Sequence, residues 1–176
     1  MEEKEKLIKE KIMEEEHAEL MRLREIKMDV WDVLINEKGF NPEDIDIDPK
    51  FKFVLSDCEF TASIDFIVNC SSISFMLIKC ATSIESWERY AVAFAQVSKD
   101  YQIPYAMVTN GYHARIIDVL TGSLVGESIY DILNRQSALN KMKDFKKIPC
   151  PLQRLEKGKR IIYAFEGIKC PIIKKP

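Results

Sequence analysis

Residues 63–79 contain two apolar runs separated by a polar turn, and this arrangement predicts a β-hairpin. The runs are residues 63–68 and 73–79, and the turn between them is Asn-Cys-Ser-Ser at 69–72. Apolar side chains, many of them β-branched or aromatic, fill nearly every position of both runs, as is usual for strands covered on both faces. We therefore expect the hairpin to lie inside the fold, with the rest of the chain organised around it.

Each run of the hairpin carries one charge where a buried strand is expected to have none: Asp65 in the first and Lys79 in the second. Because side chains alternate across a strand, Lys79 shares a face with Leu77 and can lie opposite Asp65. One interpretation is an ion pair at the strand ends, or two charges that reach solvent. The other is that the two residues belong to a functional site.

The functional interpretation comes from a resemblance in spacing. An Asp on one strand, followed by Glu-x-Lys at the end of the next, resembles the active-site frame of PD-(D/E)xK nucleases. In that frame two carboxylates hold Mg²⁺, which polarises the phosphodiester and lowers the pKa of a bound water, while the lysine helps to activate that water. This sequence has Leu77 where the frame has its Glu.

The segments after the hairpin extend the resemblance. An apolar helix at 87–96, the strand and turn Tyr-Ala-Met-Val-Thr-Asn-Gly at 105–111 and a short strand at 114–118 follow in order. Over residues 22–132 this succession resembles the N-terminal nuclease-like domain of type I restriction enzyme restriction subunits, and small stand-alone proteins similar to it. The resemblance implies a restriction-endonuclease-like fold and Mg²⁺-dependent DNA cleavage.

The same resemblance implies a set of site residues. Asp65 and Lys79 are the expected catalytic pair, and Asp65 is also an expected metal ligand. The candidates for a displaced second metal carboxylate are first Glu59 and then, on the following helix, Glu85 and Glu88. Related domains carry a glutamate on the first helix, near the place of Glu25, which can also be an ordinary exposed helix residue. Because Leu77 cannot ligate Mg²⁺, we expect weak or absent cleavage.

The order of elements predicts an α/β fold in which a central mixed sheet lies between two helices. The strands of this sheet are predicted near Phe51, Ile64, Ile73, Tyr105 and Ala114. One covering helix is predicted over residues 2–37, which hold no Gly or Pro, and the other begins at Ile84. A further helix is predicted over 128–145, with Ser128 as its cap.

The predicted N-terminal helix changes character along its length. Its second half has a broad apolar face, whereas its first half is mostly charged, with a narrow apolar stripe of Leu7, Ile8, Ile12 and Met13. We expect the second half to pack on the core, and the first to project or to pair with another chain. The predicted parts are an extension at 1–20, an α/β domain at 21–148 and a basic, proline-containing appendage at 149–176.

The C-terminal end is basic, although the net charge of the chain is −2. Residues 135–176 hold 12 Lys and Arg against 3 Asp and Glu, so residues 1–134 hold 14 against 25. A basic end can contact DNA phosphates or an acidic partner surface, and it can equally be a solvated tail. The predicted interactions are therefore DNA through 135–176, and a protein partner or self-association through the N-terminal helix.

Several other classes of protein are not favoured. No run of about 18 apolar residues predicts a membrane helix, and the start Met-Glu-Glu-Lys-Glu-Lys is unlike a secretory signal. The five cysteines form no Cys-x-x-Cys, so we expect a cytoplasmic protein with reduced thiols and no zinc site. Gly-rich phosphate loops, Ser-His-Asp sets and dinucleotide fingerprints are not found.

Two functions follow from these patterns. The first is a nuclease-like protein that acts on or binds DNA, with an incomplete Mg²⁺-dependent phosphodiesterase site. The second is a non-catalytic interaction module that uses the same fold to bind a protein or nucleic-acid partner. Leu77 distinguishes them, because losing one of two carboxylates removes both charge and coordinating oxygens from a Mg²⁺ site.

Overall fold

A six-stranded mixed sheet forms the centre of the computed structural model, which describes residues 2–169. The strands are, in chain order, β1 (Ile45–Ile47), β2 (Lys50–Val54), β3 (Glu59–Ser63), β4 (Phe66–Cys70), β5 (Ile73–Cys80), β6 (Tyr105–Thr109), β7 (Ala114–Asp118) and β8 (Leu124–Gly126). The order across the central sheet is β1-β4-β5-β6-β7-β8. β5 and β6 run parallel, whereas the other neighbouring pairs are antiparallel. β2 and β3 form a separate two-stranded sheet.

The α-helices of the described residues are α1 (Glu2–Asp32), α2 (Ile84–Val97), α3 (Arg135–Met142) and α4 (Leu152–Lys169). α1 continues into one π-helical turn, Val33–Glu37, in which the Lys38 N–H donates to the Val33 carbonyl at 2.9 Å. Gly39 follows with φ = 71°, a conformation that favours glycine, and ends the helix. The helix predicted over residues 2–37 is confirmed.

β4 and β5 form the predicted hairpin and are almost completely buried. Phe66, the first residue of β4, pairs with Ile78 in the antiparallel register. Asp65 directly precedes β4, and Lys79 directly follows Ile78 within β5, so the two charged residues face each other at the end of the hairpin. The expectation of a hairpin inside the fold, with its two charges adjacent, is confirmed.

Helices cover the sheet on both faces. α1 and α3 pack on one face, in a core that includes Val30, Leu34 and Met142. α2 and α4 pack on the other face together with the β2–β3 hairpin, in a core that includes Phe94 and Ile162. The N-terminal helix and the helix from Ile84 therefore enclose the sheet, and the predicted α/β fold is confirmed.

The strand near Phe51 is not part of the central sheet, so this detail of the prediction is wrong. It is β2, which pairs with β3, and the edge of the Phe51 ring packs on Phe94 of α2 with centroids 5.4 Å apart. The place beside β4 is taken by β1, which is too short to show a periodic pattern. Asp48, with φ = 48°, and Pro49 separate β1 from β2 and turn the chain out of the sheet.

The helix predicted over 128–145 is wrong in extent. Ser128 caps only a 3₁₀ turn, Ile129–Asp131, by accepting a backbone hydrogen bond. The chain then extends at Ile132, where ψ is 132°, before the side chain of Asn134 caps α3. Two capping side chains therefore divide the segment into two shorter elements.

Residues 152–169 form α4, and the expectation of an appendage outside the core is wrong for this segment. Ile162 is fully buried, and the centroid of the Phe165 ring lies 5.2 Å from that of Trp87 on α2. Glu166 accepts a hydrogen bond of 2.6 Å from the Tyr90 hydroxyl, also on α2. Residues 170–176 lie outside the described residues, and the boundaries of the three predicted parts remain a prediction.

Gly158 sets the distance between α2 and α4. A Cβ at this position would lie 2.7 Å from Val97 Cγ1, closer than two carbon atoms approach without repulsion. Gly158→Val is therefore expected to push the helices apart and to lower the free energy of unfolding by about 1–3 kcal/mol. Urea denaturation measures the change. A loss no larger than that of Ala164→Val, at an exposed site on the same helix, would contradict this expectation.

Candidate functional site

Asp65 occupies a buried position at the end of the β4–β5 hairpin and is surrounded by nitrogen donors. Only 6% of its surface is exposed. Its Oδ2 accepts hydrogen bonds from Lys79 Nζ at 2.8 Å and from the Cys80 N–H at 2.7 Å. The Lys79 ammonium also lies 5.1 Å from the centroid of the Trp87 ring, a cation–π contact with α2. The two residues predicted as a catalytic pair are thus brought together as a buried ion pair.

A second lysine, which the sequence analysis did not identify, completes the charge balance. Lys27 of α1 places its Nζ 2.9 Å from Asp65 Oδ1 and 2.6 Å from Asp48 Oδ1. Asp48 is held in position by its own N–H, which donates to the Asp65 carbonyl at 2.9 Å. Both carboxylate oxygens of Asp65 therefore contact an ammonium group, and one ammonium group bridges two aspartates.

Lys27 had a signal in the sequence, whereas Asp48 had none. Leu23 and Val30 lie four residues before and three residues after Lys27, so the lysine belongs to the apolar stripe of α1. A charged residue on a core-facing stripe needs a partner, because an unpaired buried charge is costly. Asp44, Asp46 and Asp48 alternate in one short segment, and only the fold decides which of them meets the lysine.

The environment favours the charged forms of Asp65 and Lys27. Burial alone would raise the pKa of the Asp65 carboxyl, but the charges and hydrogen bonds of Lys79 and Lys27 outweigh it and hold this pKa below its ordinary value. Burial would lower the pKa of Lys27, yet its interactions with Asp48 and Asp65 raise it. The nearby Cys80 thiol has a raised pKa, first because it is buried and then because of Asp65, so it is protonated and unreactive.

The site opens into a cleft of about 480 Å³ between α1 and the hairpin end. The ionisable groups lining this cleft are His17, Arg24, Lys27, Lys79 and Asp65, apart from the thiol of the neighbouring cysteine. One carboxylate therefore faces three basic side chains, those of Arg24, Lys27 and Lys79. The cleft has a positive character, which is the opposite of what a cation-binding site requires.

Mg²⁺ is the cofactor that the PD-(D/E)xK resemblance implies, and the residues present do not fit it. Mg²⁺ takes oxygen ligands in near-octahedral geometry, whereas both oxygens of Asp65 contact lysine ammonium groups. Leu77, in the position of the missing Glu, is fully buried and offers no oxygen. Within residues 2–169, no group of three or more His, Cys, Asp or Glu side chains is arranged to hold a metal ion.

The other carboxylates predicted for the site lie elsewhere. Glu59 is on β3 in the separate two-stranded sheet, where its carboxylate contacts Lys52 Nζ at 2.7 Å. Glu85 and Glu88 line a groove on the α2 side of the sheet, and Glu25 is exposed on α1. The structure therefore does not bring any of these four glutamates to the hairpin site, and a metal-binding role for Glu59 remains only a prediction.

Comparison with known proteins places this arrangement in a family. The fold defines an α/β domain in which a hairpin ending in an Asp–Lys pair is followed by a helix and a strand parallel to the second hairpin strand. Residues 25–132 match the family described as type I restriction enzyme R protein N terminus, and the chain belongs to that family. No curated protein and no solved structure gives a significant match. Among the described residues, no helix is long and apolar enough to span a membrane.

Lys27→Met is expected to raise the pKa of Asp65, because it removes one of the two ammonium groups that stabilise the charged carboxylate. NMR titration of the Asp65 side-chain carboxyl resonance measures this pKa. Arg24→Met is the matched control, since Arg24 lines the same cleft and is not ion-paired with Asp65. An Asp65 pKa that is equal in the wild-type protein and Lys27→Met would contradict the assignment of Lys27 as a counter-ion.

Proposed function

We propose that this protein binds DNA as a restriction-type domain and does not hydrolyse it. The observation that carries the proposal is that lysine ammonium groups contact both carboxylate oxygens of Asp65, Lys79 at 2.8 Å and Lys27 at 2.9 Å. The neighbouring Leu77 supplies no second acid. The domain belongs to a restriction-enzyme family, and its hairpin site lacks the second carboxylate that hydrolysis by a metal-activated water requires.

The acid–base properties of the site also support the absence of hydrolysis. A general base must accept a proton near neutral pH, and a carboxyl whose pKa is held below the ordinary value is a poor acceptor. Lys27 has a raised pKa and stays protonated, so it cannot act as the base in place of Asp65. His17, which also lines the cleft, is exposed on α1 and makes no ion pair or hydrogen bond with Asp65.

Family membership and charge support DNA as the ligand. Restriction enzymes act on DNA, and the family is named after a part of such an enzyme. Residues 135–176 hold 12 basic against 3 acidic residues, within a chain of net charge −2. α4 carries four of these basic residues in less than two turns: Arg154, Lys157, Lys159 and Arg160. Cations concentrated on one element favour a polyanionic partner.

Purified protein with Mg²⁺ or Mn²⁺ is expected to leave supercoiled plasmid DNA intact, and Asp65→Ala is expected to make no difference in this assay. Fluorescence anisotropy with labelled duplex DNA is expected to show binding at low salt that weakens steeply as salt increases. Circular dichroism checks that each variant is folded. Cleavage by the wild-type protein that Asp65→Ala and Lys79→Ala abolish would contradict the proposal, and Glu59, Glu85 and Glu88 would then be replaced in turn.

A protein partner is the second candidate function, and the exposed stripe of α1 favours it. Leu7, Ile8, Ile12 and Met13 are between 48% and 69% exposed, and the ion pairs around them lie within the helix. An apolar stripe on a projecting helix is typical of a helix–helix interface. Sedimentation of the purified protein as a monomer would remove self-association through this stripe.

A further inference from the structure

A groove between α2 and α4 is positively charged although the protein as a whole is acidic. Its volume is about 800 Å³, and β7 with the turn that follows it forms the third side. The charged groups that line it are Arg89, Arg115, Arg154 and Lys157 against Glu85 and Glu88. The groove therefore has an excess of two positive charges, whereas the net charge of the chain is −2. Such a local excess attracts anions.

Three of the four cations in this α2–α4 groove are unpaired. Arg115 is ion-paired with a glutamate of α2. Arg89, Arg154 and Lys157 are exposed, and their charged groups make no ion pair or hydrogen bond with the rest of residues 2–169. In the Asp65 cleft, Lys27 and Lys79 are ion-paired, which leaves Arg24 as the one arginine there without an ion pair among the described residues. The groove, with three such cations, therefore offers more unpaired positive charge to a ligand than the cleft does.

Close packing of two helices brings these cations together. The absence of a side chain at Gly158 lets α4 approach Val97 of α2. Arg154 and Lys157 are three residues apart and so lie on the same face of α4, opposite Arg89 of α2. Arg89 and Lys157 also line the adjoining groove along α4, so the positive surface is continuous over both grooves.

We propose that the α2–α4 groove binds the phosphate backbone of duplex DNA; this inference rests on the proposed function and assigns it a surface. Guanidinium groups bind phosphate oxygens through paired, directed hydrogen bonds, and two of the three unpaired cations are arginines. Among the described residues that line this groove there is no aromatic ring, so the bases of a single strand would have no ring to stack on there. Contacts limited to phosphates position a duplex without reading its sequence.

The test compares two triple variants that remove equal charge. The groove variant is Arg89→Gln, Arg154→Gln and Lys157→Gln, and the control variant is Lys4→Gln, Lys11→Gln and Arg22→Gln on α1. All six side chains are exposed, so both variants are expected to fold, which thermal melting checks. Affinity for a labelled duplex of random sequence is measured by fluorescence anisotropy at several salt concentrations.

The groove variant is expected to bind on the order of 100-fold more weakly at about 0.15 M salt, because three lost phosphate contacts, at about 0.9 each in the slope of log affinity against log salt, change the affinity by about the 2.7th power of the salt concentration. The slope itself is expected to fall by about three. The control variant is expected to stay within about threefold of the wild-type affinity, since charges farther away than a Debye length are screened. If the melting temperature of the groove variant is lowered, the double variant Arg154→Gln and Lys157→Gln replaces it, since both residues are exposed on α4. The slope of log affinity against log salt is then expected to fall by about two.

Three other results would contradict the groove as a DNA-binding surface. Equal losses in the groove and control variants would overturn the groove as the binding surface and leave DNA binding in place. A wild-type protein without salt-dependent binding would overturn both the groove and the proposed function. Displacement of the duplex by polyglutamate as effectively as by unlabelled duplex of the same total charge would assign the groove to an acidic protein and overturn the DNA assignment.

Discussion

Asp65→Asn is expected to lower the free energy of unfolding by about 3 kcal/mol, because it leaves two ammonium groups without their buried counter-ion. Lys79 loses most, since only 12% of its side chain is exposed and Asp65 is the partner in its ion pair. Lys27 keeps Asp48, and 32% of its side chain reaches solvent. The Cys80 N–H also loses a charged acceptor.

This loss of stability is expected to depend on pH only at the acid end. The pKa of Asp65 is lower in the folded protein than in the unfolded chain, so its contribution is complete above the unfolded value and disappears as the pH falls through the folded value. The difference in stability between the wild-type protein and Asp65→Asn should therefore be constant above about pH 5 and shrink below about pH 4. Urea denaturation at a series of pH values measures it.

Asp48→Asn is the matched control for this prediction. Asp48 is 57% exposed in its side chain and is ion-paired only with Lys27 among the described residues. Its replacement is expected to cost less than about 1 kcal/mol, as for an exposed ion pair. Equal losses in Asp48→Asn and Asp65→Asn would contradict the view that Asp65 is the buried centre of the cluster.

Leu77→Glu is expected to lower the free energy of unfolding by on the order of 4 kcal/mol, because it replaces a core side chain with a carboxylate. Leu77 is fully buried in the middle of the sheet. Its neighbours across the strands are Ile67 on β4 and Ala106 on β6, both buried and apolar. A glutamate there must either stay protonated or distort the strand to reach water.

Leu77→Met is the matched control, since a swap of similar volume in a core costs less than about 1.5 kcal/mol. Leu77→Glu is also expected not to create plasmid cleavage, because Lys27 and Lys79 still contact both oxygens of Asp65. Calorimetric titration with Mg²⁺ provides the second measurement. Saturable Mg²⁺ binding by a folded Leu77→Glu protein would show that one substitution restores a metal site, and would contradict this expectation.

The hairpin and its ion pair could be predicted from sequence because both depend on residues that are close along the chain. A short turn between two apolar runs restricts the strand register, and the register brings Asp65 opposite Lys79. Lys27 and Asp48 reach the same carboxylate from separate elements. Their approach depends on how α1 crosses the sheet, and no local pattern contains that information.

The expectation of an appendage outside the core failed for α4 for a related reason. Its basic residues and Gly158 are typical of a solvated tail, and most of its apolar residues lie in one short run at 161–165. Part of that run becomes a core surface when α2 provides Tyr90 as a partner for Phe165, and when the glycine allows the helices to touch. A packing interaction between two helices 50 and more residues apart cannot be read from either helix alone.

The ammonium group of Lys27 is a cation that the chain itself supplies. A bound metal ion exchanges with solvent, so its occupancy follows the ion concentration and falls when a chelator is added. Lys27 is always present in a ratio of one to one with Asp65, and its raised pKa keeps it charged at neutral pH. Neutralisation of Asp65 by Lys27 is therefore coupled to the docking of α1 on the sheet: the helix cannot leave without separating the two charges.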